Sequence, residues 1–514
     1  MEDDTIINQN LTTLRKRKVR KLLIFVAAIA LATATVITVC LVINKKNQPY
    51  NENLSYLFDP EKPILVMKDN LYGYVNTNGD EIIPLRYHQA DEFFGEYAHA
   101  VILDTTNASA TTLIINKKGE PILKPANALL DTLHGTWLID GKLYDRELNQ
   151  KSPENITVLY GLPNGFYKYQ KDDTKEYGLM SSTGTIPYSC GEIDCEISIR
   201  PVSPLLNNYY ALVSGDTILD LSSKADTLEP ILISDVSSNP KTNLGNNIFA
   251  ESAGNSTRNY YLYDGKAYEA PYGAQMSLYD ALEPTIMLDF GSNYSATGEN
   301  VRYKFFTATD RKISNSFPDG IPLDMNSAEL AQYYIHKCEG DSSNKSLRKG
   351  KKEVFQCGQY IQYRALPTDL YAYLRHSQNK QLILAVDKDH NSHLIDLKTK
   401  KTLRSFDADN VSFSSKNTFA TAMGNDKKLL VYNLLSGKSL EITNASIYST
   451  VSNAIAITDK NSITYYNTNL DSMYSFEDKT ERPSHGTTTP ASPIVPSVPN
   501  SNPRPPAVPA ADKI

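Results

Sequence analysis

Long helical periodicity is almost absent from this 514-residue chain, and tryptophan occurs once, at Trp137. The first lack excludes helical bundles and helical solenoids, which need sustained apolar spacing at three and four residues. The one short helix indicated spans 327–336, after Asn326-Ser327. Catalytic signatures are missing too: there is no G-x-S-x-G elbow, H-E-x-x-H, Walker loop or G-x-G-x-x-G. No C-x-x-C occurs, which removes thioredoxin-like and ribbon-type zinc sites. An excess of positive charge is also lacking, with 52 Lys+Arg against 58 Asp+Glu and a net charge of -6. The first 21 residues hold six bases and three acids, so the remainder sums to about -9. That balance argues against nucleic acid or anionic membrane surfaces as general partners.

Uncharged apolar residues fill positions 22–43, directly behind Arg15-Lys16-Arg17-Lys18-Val19-Arg20-Lys21. A helix over this run would be about 33 Å long, enough to cross a bilayer core. The basic flank predicts a cytoplasmic tail (1–21), a transmembrane helix (22–43) and a linker (44–60), with the bulk of the chain extracytoplasmic on a single-pass cell membrane anchor. A cleaved signal peptide is the alternative, through Ala30-Leu31-Ala32 or Ala32-Thr33-Ala34; Ile37-Thr38-Val39-Cys40 only loosely fits a lipoprotein box. Beyond Cys40 lie four cysteines, Cys190, Cys195, Cys338 and Cys357. In an oxidising compartment an even count reads as two disulfides, and joining near neighbours closes the smallest loops.

From 61 to 477, short runs rich in Tyr, Val, Ile and Leu alternate with Asn, Gly, Asp and Ser turns. This is the pattern of a sandwich, barrel or propeller. Residues 74–83 align without a gap on residues 114–123, a period of 40, and a partial third copy covers 177–184. Each copy reads as strand, glycine turn, strand, and such hairpins must stack to bury their apolar faces. The fullest copy runs Tyr72-Gly73-Tyr74-Val75, Gly79, Ile82-Ile83-Pro84, Tyr87, Ala90, Phe93-Phe94 and Ala98. Here the chain resembles the WG-repeat family of bacterial proteins, over about residues 72–190, with Tyr72 where that family usually has tryptophan. The resemblance implies repeated β-hairpins and lends fold more than function.

A second repeat occupies about 380–476. Residues 393–403 match 430–440 at a period of 37, and 463–470 follow about 34 later. The spacing looks like blades of a WD or quinoprotein-like β-propeller, without the Trp-Asp pair. Past residue 478 nine prolines lie between Pro483 and Pro509, so 478–514 is expected as a disordered Pro-rich tail.

Candidate chemistry is thin. Ser342-x-x-Lys345 and Ser346-x-x-Lys349 fit S-x-x-K but sit in a polar stretch without a K-T-G partner. Asp387-x-Asp389-x-Asn391 begins like a calcium loop, yet lacks its central glycine and has Lys398 where the bidentate acid belongs. A plain hairpin turn explains it. Lys345, Arg348, Lys349, Lys351 and Lys352 lie between Cys338 and Cys357 and would form a compact positive loop able to meet an anionic polymer, headgroups or an acidic protein. We therefore expect an all-β fold, a single β-propeller of seven or eight blades preceded by one N-terminal transmembrane helix, with two β domains as the alternative. Ring closure would bring residues near Ile64 beside those near Tyr465. The expected function is non-enzymatic binding or scaffolding in the bacterial cell envelope, without catalytic residues, cofactor or metal. The partners would be the membrane, through the N-terminal helix, and another envelope protein or wall polymer. A glycan-acting or quinone-dependent envelope enzyme is the alternative.

Overall fold

The computed structural model describes residues 51–477, apart from short internal stretches of which the longest are 229–240 and 291–301. These residues form eleven antiparallel sheets, each a meander with its strands in sequence order. In chain order the sheets are blades 1 to 11: 64–87, 89–123, 128–145, 156–191, 197–220, 241–269, 275–314, 321–360, 362–406, 411–443 and 447–477. Blades 1, 3 and 5 have three strands and the others four.

Strand sequence follows position within a blade. Leu382–Val386 is buried throughout, as a strand covered on both faces must be. Ser439–Thr443, the last strand of its blade, alternates between exposed and half-buried residues. One turn design recurs between strands. Asn76 Oδ1 accepts the N–H of Asn78 at 2.9 Å and of Asp80 at 2.9 Å. Asn116 does the same for Lys118 and Glu120, as do Asp145, Asp387 and Asn467 for the residues two and four along. The residue three along takes positive φ in each case: Gly79, Gly119, Leu148, His390 and Leu470.

Apolar clusters join each blade to the next. Tyr74 and Ile83 of blade 1 pack with Ala98 and Ile115 of blade 2. Ile114 of blade 2 meets Trp137 of blade 3, and Leu143 of blade 3 meets Val158 of blade 4. The series continues through Leu179 with Ile197, Tyr210 with Phe249, and Ile248 with Ile286. Blades 7 and 8 meet through a polar contact, Tyr334 OH donating to Asp280 Oδ2 at 2.9 Å. Blades 8, 9 and 10 share one large core, and Phe419 of blade 10 packs with Ile455 of blade 11. Ile64, Val66 and Val75 of blade 1 then pack with Ala454, Ala456 and Tyr465 of blade 11, which closes the ring. Tyr465 OH accepts the N–H of Met67 at 3.1 Å, and Asn467 donates to Thr77 O at 3.0 Å.

Three expectations need correction. The fold is all-β and propeller-like, but it has eleven blades rather than seven or eight. The repeat periods of 37 and 40 are themselves the blade length, and dividing 61–477 by them gives about eleven. The expected transmembrane helix at 22–43, with its cytoplasmic tail at 1–21, lies outside the described residues. Among the described residues no helix is long and apolar enough to cross a membrane, so the single-pass anchor and the localisation built on it are not supported. The expected helix at 327–336 is a 3-10 turn, Leu330–Gln332, followed by the strand Tyr333–Cys338. The Pro-rich tail, 478–514, also lies outside the described residues.

Two α-helices occur among the described residues, α1 (Asn53–Leu57) and α2 (Thr368–Gln378). Helix α2 interrupts blade 9 after Pro367 and ends at Asn379, which takes φ 55°. Its Leu370, Tyr371 and Leu374 are buried with Leu54 and Phe58 of the α1 segment. The Phe58 and Tyr373 rings stack with centroids 4.7 Å apart. Tyr56 lies against Phe94 of blade 2, while Arg146 of blade 3 sits over the Tyr56 ring at 4.4 Å. Asn453 of blade 11 donates to Asp59 O, and Gln378 donates to Leu435 O of blade 10 at 2.7 Å. The two helices thus connect blades 2 and 3 with blades 9 to 11 across the ring. Glu329 anchors this bridge to blade 8. Its Oε2 accepts from Tyr371 at 2.8 Å and Arg375 at 2.7 Å, and Oε1 accepts from Gln381. Burial pushes the Glu329 carboxyl up, but these donors outweigh it and hold the pKa below the ordinary glutamate value.

Two predictions follow from closure and bridge. A Cβ on Gly79, at φ +92°, would lie 1.8 Å from Met473 O of blade 11, whereas Gly437, at φ +72°, meets only Tyr432 OH at 3.6 Å. Gly79→Ala should therefore destabilise by at least about 2 kcal/mol, and Gly437→Ala by only about 1 kcal/mol from backbone strain alone. Chemical denaturation of both variants measures the difference; equal losses would place closure elsewhere. Glu329→Gln should be less stable than the parent at pH 7 by about 1–3 kcal/mol, through loss of charge-assisted bonds. Because the folded pKa is depressed, this contribution is present above the unfolded pKa of about 4.3 and is lost as pH falls through the folded one. Urea midpoints for parent and variant should therefore converge in acid.

Candidate functional site

Between blades 3 and 4 lies a cleft of about 370 Å³. Its walls come from the strand Ala128–Asp131, the strand Thr136–Ile139 and the chain from Gly161 to Tyr167. Leu129 and Leu133 stand on its lip, 62% and 46% exposed, values far above the core leucines of this fold. Leu138, Leu162 and Pro163 line it further in.

A hairpin turn organises its polar floor. Asp131 Oδ1 accepts the N–H of Leu133 and of His134, both at 3.1 Å, and Gly135 then reverses the chain at φ 65°. Asp131 Oδ2 lies 2.7 Å from His134 Nδ1 and accepts from Tyr167 OH at 3.4 Å. Tyr167 OH also lies 2.6 Å from Thr136 Oγ1. Burial pushes the Asp131 carboxyl up, but the His134 imidazole and the two N–H groups outweigh this and leave it below the usual range. Burial likewise pushes the Tyr167 hydroxyl up to about 12, so it stays protonated at neutral pH. The imidazole packs on Gly165, where a Cβ would sit 2.7 Å from His134 Cδ2. Asp131, Thr136 and Tyr167 are thus tied to one another, and His134 joins them through Nδ1. What the cleft presents to a ligand is a leucine lip over a hydrogen-bonded polar floor.

Sequence reasoning did not single out these residues. Their one signal is adjacency to Trp137, the sole tryptophan, buried between the cleft residues Thr136 and Leu138. Asp131 and His134 stand three apart in a turn rather than on a helix, so no periodicity marks them.

The residues singled out from sequence lie elsewhere. Cys190 is bonded to Cys195 and Cys338 to Cys357. Lys345, Arg348, Lys349 and Lys352 belong to a bulged hairpin of blade 8, made of Asp341–Lys349 and Lys352–Tyr360, and Lys351 lies in its turn. Strand alternation sends its charges to two faces. Arg348 pairs across the ladder with Glu353, and Lys349 stands opposite Lys352, its ammonium 4.9 Å from the Tyr333 ring centroid. Lys351 and Lys352 are exposed at the tip. The same alternation separates Ser346, which is buried, from Lys349, which is exposed, so this S-x-x-K pair forms no dyad.

The calcium-like Asp387 segment is the recurrent turn already described. Asp387 Oδ2 lies 2.9 Å from His393 Nε2, while His390 reaches toward Asp409 at 3.7 Å. No group of three or more His, Cys, Asp or Glu among the described residues is placed to hold a metal ion.

The WG containing repeat family model matches residues 72–100. That segment is the end of blade 1 and the beginning of blade 2, and its Tyr74, Ile83, Tyr87, Ala90, Phe93 and Ala98 form the core between the two. A search of curated proteins finds no match. Among solved structures that match, the dihydro-heme d1 dehydrogenase NirN in complex with DHE is 11% identical at a TM-score of 0.24, covering 75% of this chain and 78% of its own. The tricorn protease is 12% identical at a TM-score of 0.19, covering 79% of this chain and 47% of its own. Similarity this low carries no functional argument; the chain is similar to WG-repeat proteins over one blade junction.

Proposed function

We propose that this propeller is a non-enzymatic binding and scaffolding protein of the bacterial cell envelope, and that the cleft between blades 3 and 4 holds its partner. The carrying observation is the exposed pair Leu129 and Leu133 above a floor in which Asp131, Thr136 and Tyr167 are hydrogen-bonded to one another and His134 joins them through Nδ1. A reactive site needs an acid, base or nucleophile left available to substrate. The carboxylate and both hydroxyls of this floor are engaged with one another, which favours a site that holds a ligand over one that transforms it. The two disulfides suit an oxidising setting such as the envelope. We read blades 9 to 11 as WD- or quinoprotein-like in spacing only, with no cofactor role.

A photo-reactive residue placed at Leu129, which is exposed and therefore tolerant, should give one discrete protein adduct on irradiation of intact cells. The same group at Met423, also exposed but on blade 10, should not. Equal labelling from both positions, or none from Leu129, would remove the cleft from the function.

A further inference from the structure

The edge of blade 4 beside the cleft suggests what kind of partner enters it, an inference that rests on the binding reading above. Ile156–Leu162 is the first strand of its blade and has a sheet neighbour on one side only. Val158 still donates to Gly141 O of blade 3 at 2.7 Å. Past that bond the register shifts between Val158 and Tyr160, and Leu159, Tyr160 and Gly161 are all exposed. Among the described residues no strand pairs with this edge, and an unpaired strand edge is a template on which an extended chain can add as a further strand.

Its two sides differ in chemistry. One side opens on the leucines of the cleft. On the other, Lys168 is buried, with its ammonium 5.7 Å from the Tyr160 ring centroid, 5.6 Å from that of Tyr177 and 2.5 Å from Asp194 Oδ1. That ion pair and the Cys190–Cys195 bond hold the intervening loop at both ends. Lys168 is neutralised by Asp194, and the neighbouring Glu192 and Glu196 are exposed, so this side is acidic. A strand laid along the edge sends alternate side chains to opposite faces.

We propose that residues 159–162 bind an extended polypeptide segment of alternating aliphatic and basic residues, with the aliphatic side chains in the leucine cleft and the basic ones toward Glu192 and Glu196. Because the acidic loop is already fixed, little ordering is lost on binding, which favours affinity. Charge alone would not distinguish an alternating segment from a blocky one; the strand edge would.

The test uses three acetylated, amidated hexapeptides on the folded protein: Lys-Leu-Lys-Leu-Lys-Leu, its isomer Leu-Leu-Leu-Lys-Lys-Lys, and Glu-Leu-Glu-Leu-Glu-Leu. Trp137, the only tryptophan and a neighbour of cleft residues, reports binding by fluorescence, with calorimetry as a second measure. The alternating basic peptide should bind at least tenfold more tightly than the other two. Leu129→Glu should weaken it about tenfold and Glu192→Lys about threefold, both variants keeping the parent's melting curve because both positions are exposed. Equal affinity for the two Lys/Leu isomers, no measurable binding, or indifference to Leu129→Glu overturns the proposal. If these peptides fail while Leu129 still gives its discrete adduct in cells, the binding function stands and only the partner chemistry assigned here is wrong.

Discussion

Everything in this molecule depends on the contact between its first and last blades. A single antiparallel blade has two apolar faces and cannot bury either alone, so each needs a neighbour on both sides. Ten of the eleven junctions join blades consecutive in sequence. The eleventh must be made by residues about 400 positions apart, and loop closure on that scale is entropically unfavourable. Ile64, Val66 and Val75 against Ala454, Ala456 and Tyr465 provide the compensating burial. Met67 and Thr77 add backbone bonds to Tyr465 and Asn467. Gly79 lets the two chains approach closely enough for these bonds to form, because no side chain stands between its backbone and Met473.

Closing eleven blades creates a second problem. Propellers usually have four to eight blades around a central channel, and a larger ring leaves a wider centre. The first strands of the blades would then show apolar side chains and strand edges to water. Here α1 and α2 pack Leu54, Phe58, Leu370 and Leu374 together with the core of blades 8 to 10. The bridge carries polar bonds to blades on both sides, including Asn51 to Leu133 O of blade 3 at 2.9 Å and Asn453 of blade 11 to Asp59 O. Lys62 is buried, which lowers its pKa, and Glu92 at 3.5 Å offsets part of that penalty. A ring of this size is thus held by its circumference and by a strut.

How far the sequence reveals this can be judged from particular residues. The hairpin at 74–83 and its copy at 114–123 are legible because strand, glycine turn and strand are short-range features, and both carry the same Asn-capped turn. The near-neighbour disulfides are legible for the same reason. Blade number was misjudged although the periods of 37 and 40 contained it, because blades 5 to 7 carry no sequence copy of the repeat. Helix α2 was missed since Leu370, Tyr371 and Leu374 make a short pattern inside a strand-rich region. The cleft could not be read at all. Asp131 and Tyr167 meet across 36 residues, from different blades, and only the packed ring brings them together.

That dependence explains why the site lies where it does. The cleft takes its walls from the first two strands of blade 3 and from the turn between the first two strands of blade 4. The last bond from blade 3 to the first strand of blade 4 is made at Val158, and the cleft lies past it, at Gly161 and Leu162. The strut meets this space directly, because Asn51 and Asn53 both donate to Leu133 O on its lip. A partner that displaces Leu133 must therefore work against bonds that also fix α1, and through Phe58 and Tyr373 against α2. Binding at the lip and packing at the centre share one carbonyl. In a fold that rests on a closed ring and a strut, this carbonyl joins the cleft to both helices.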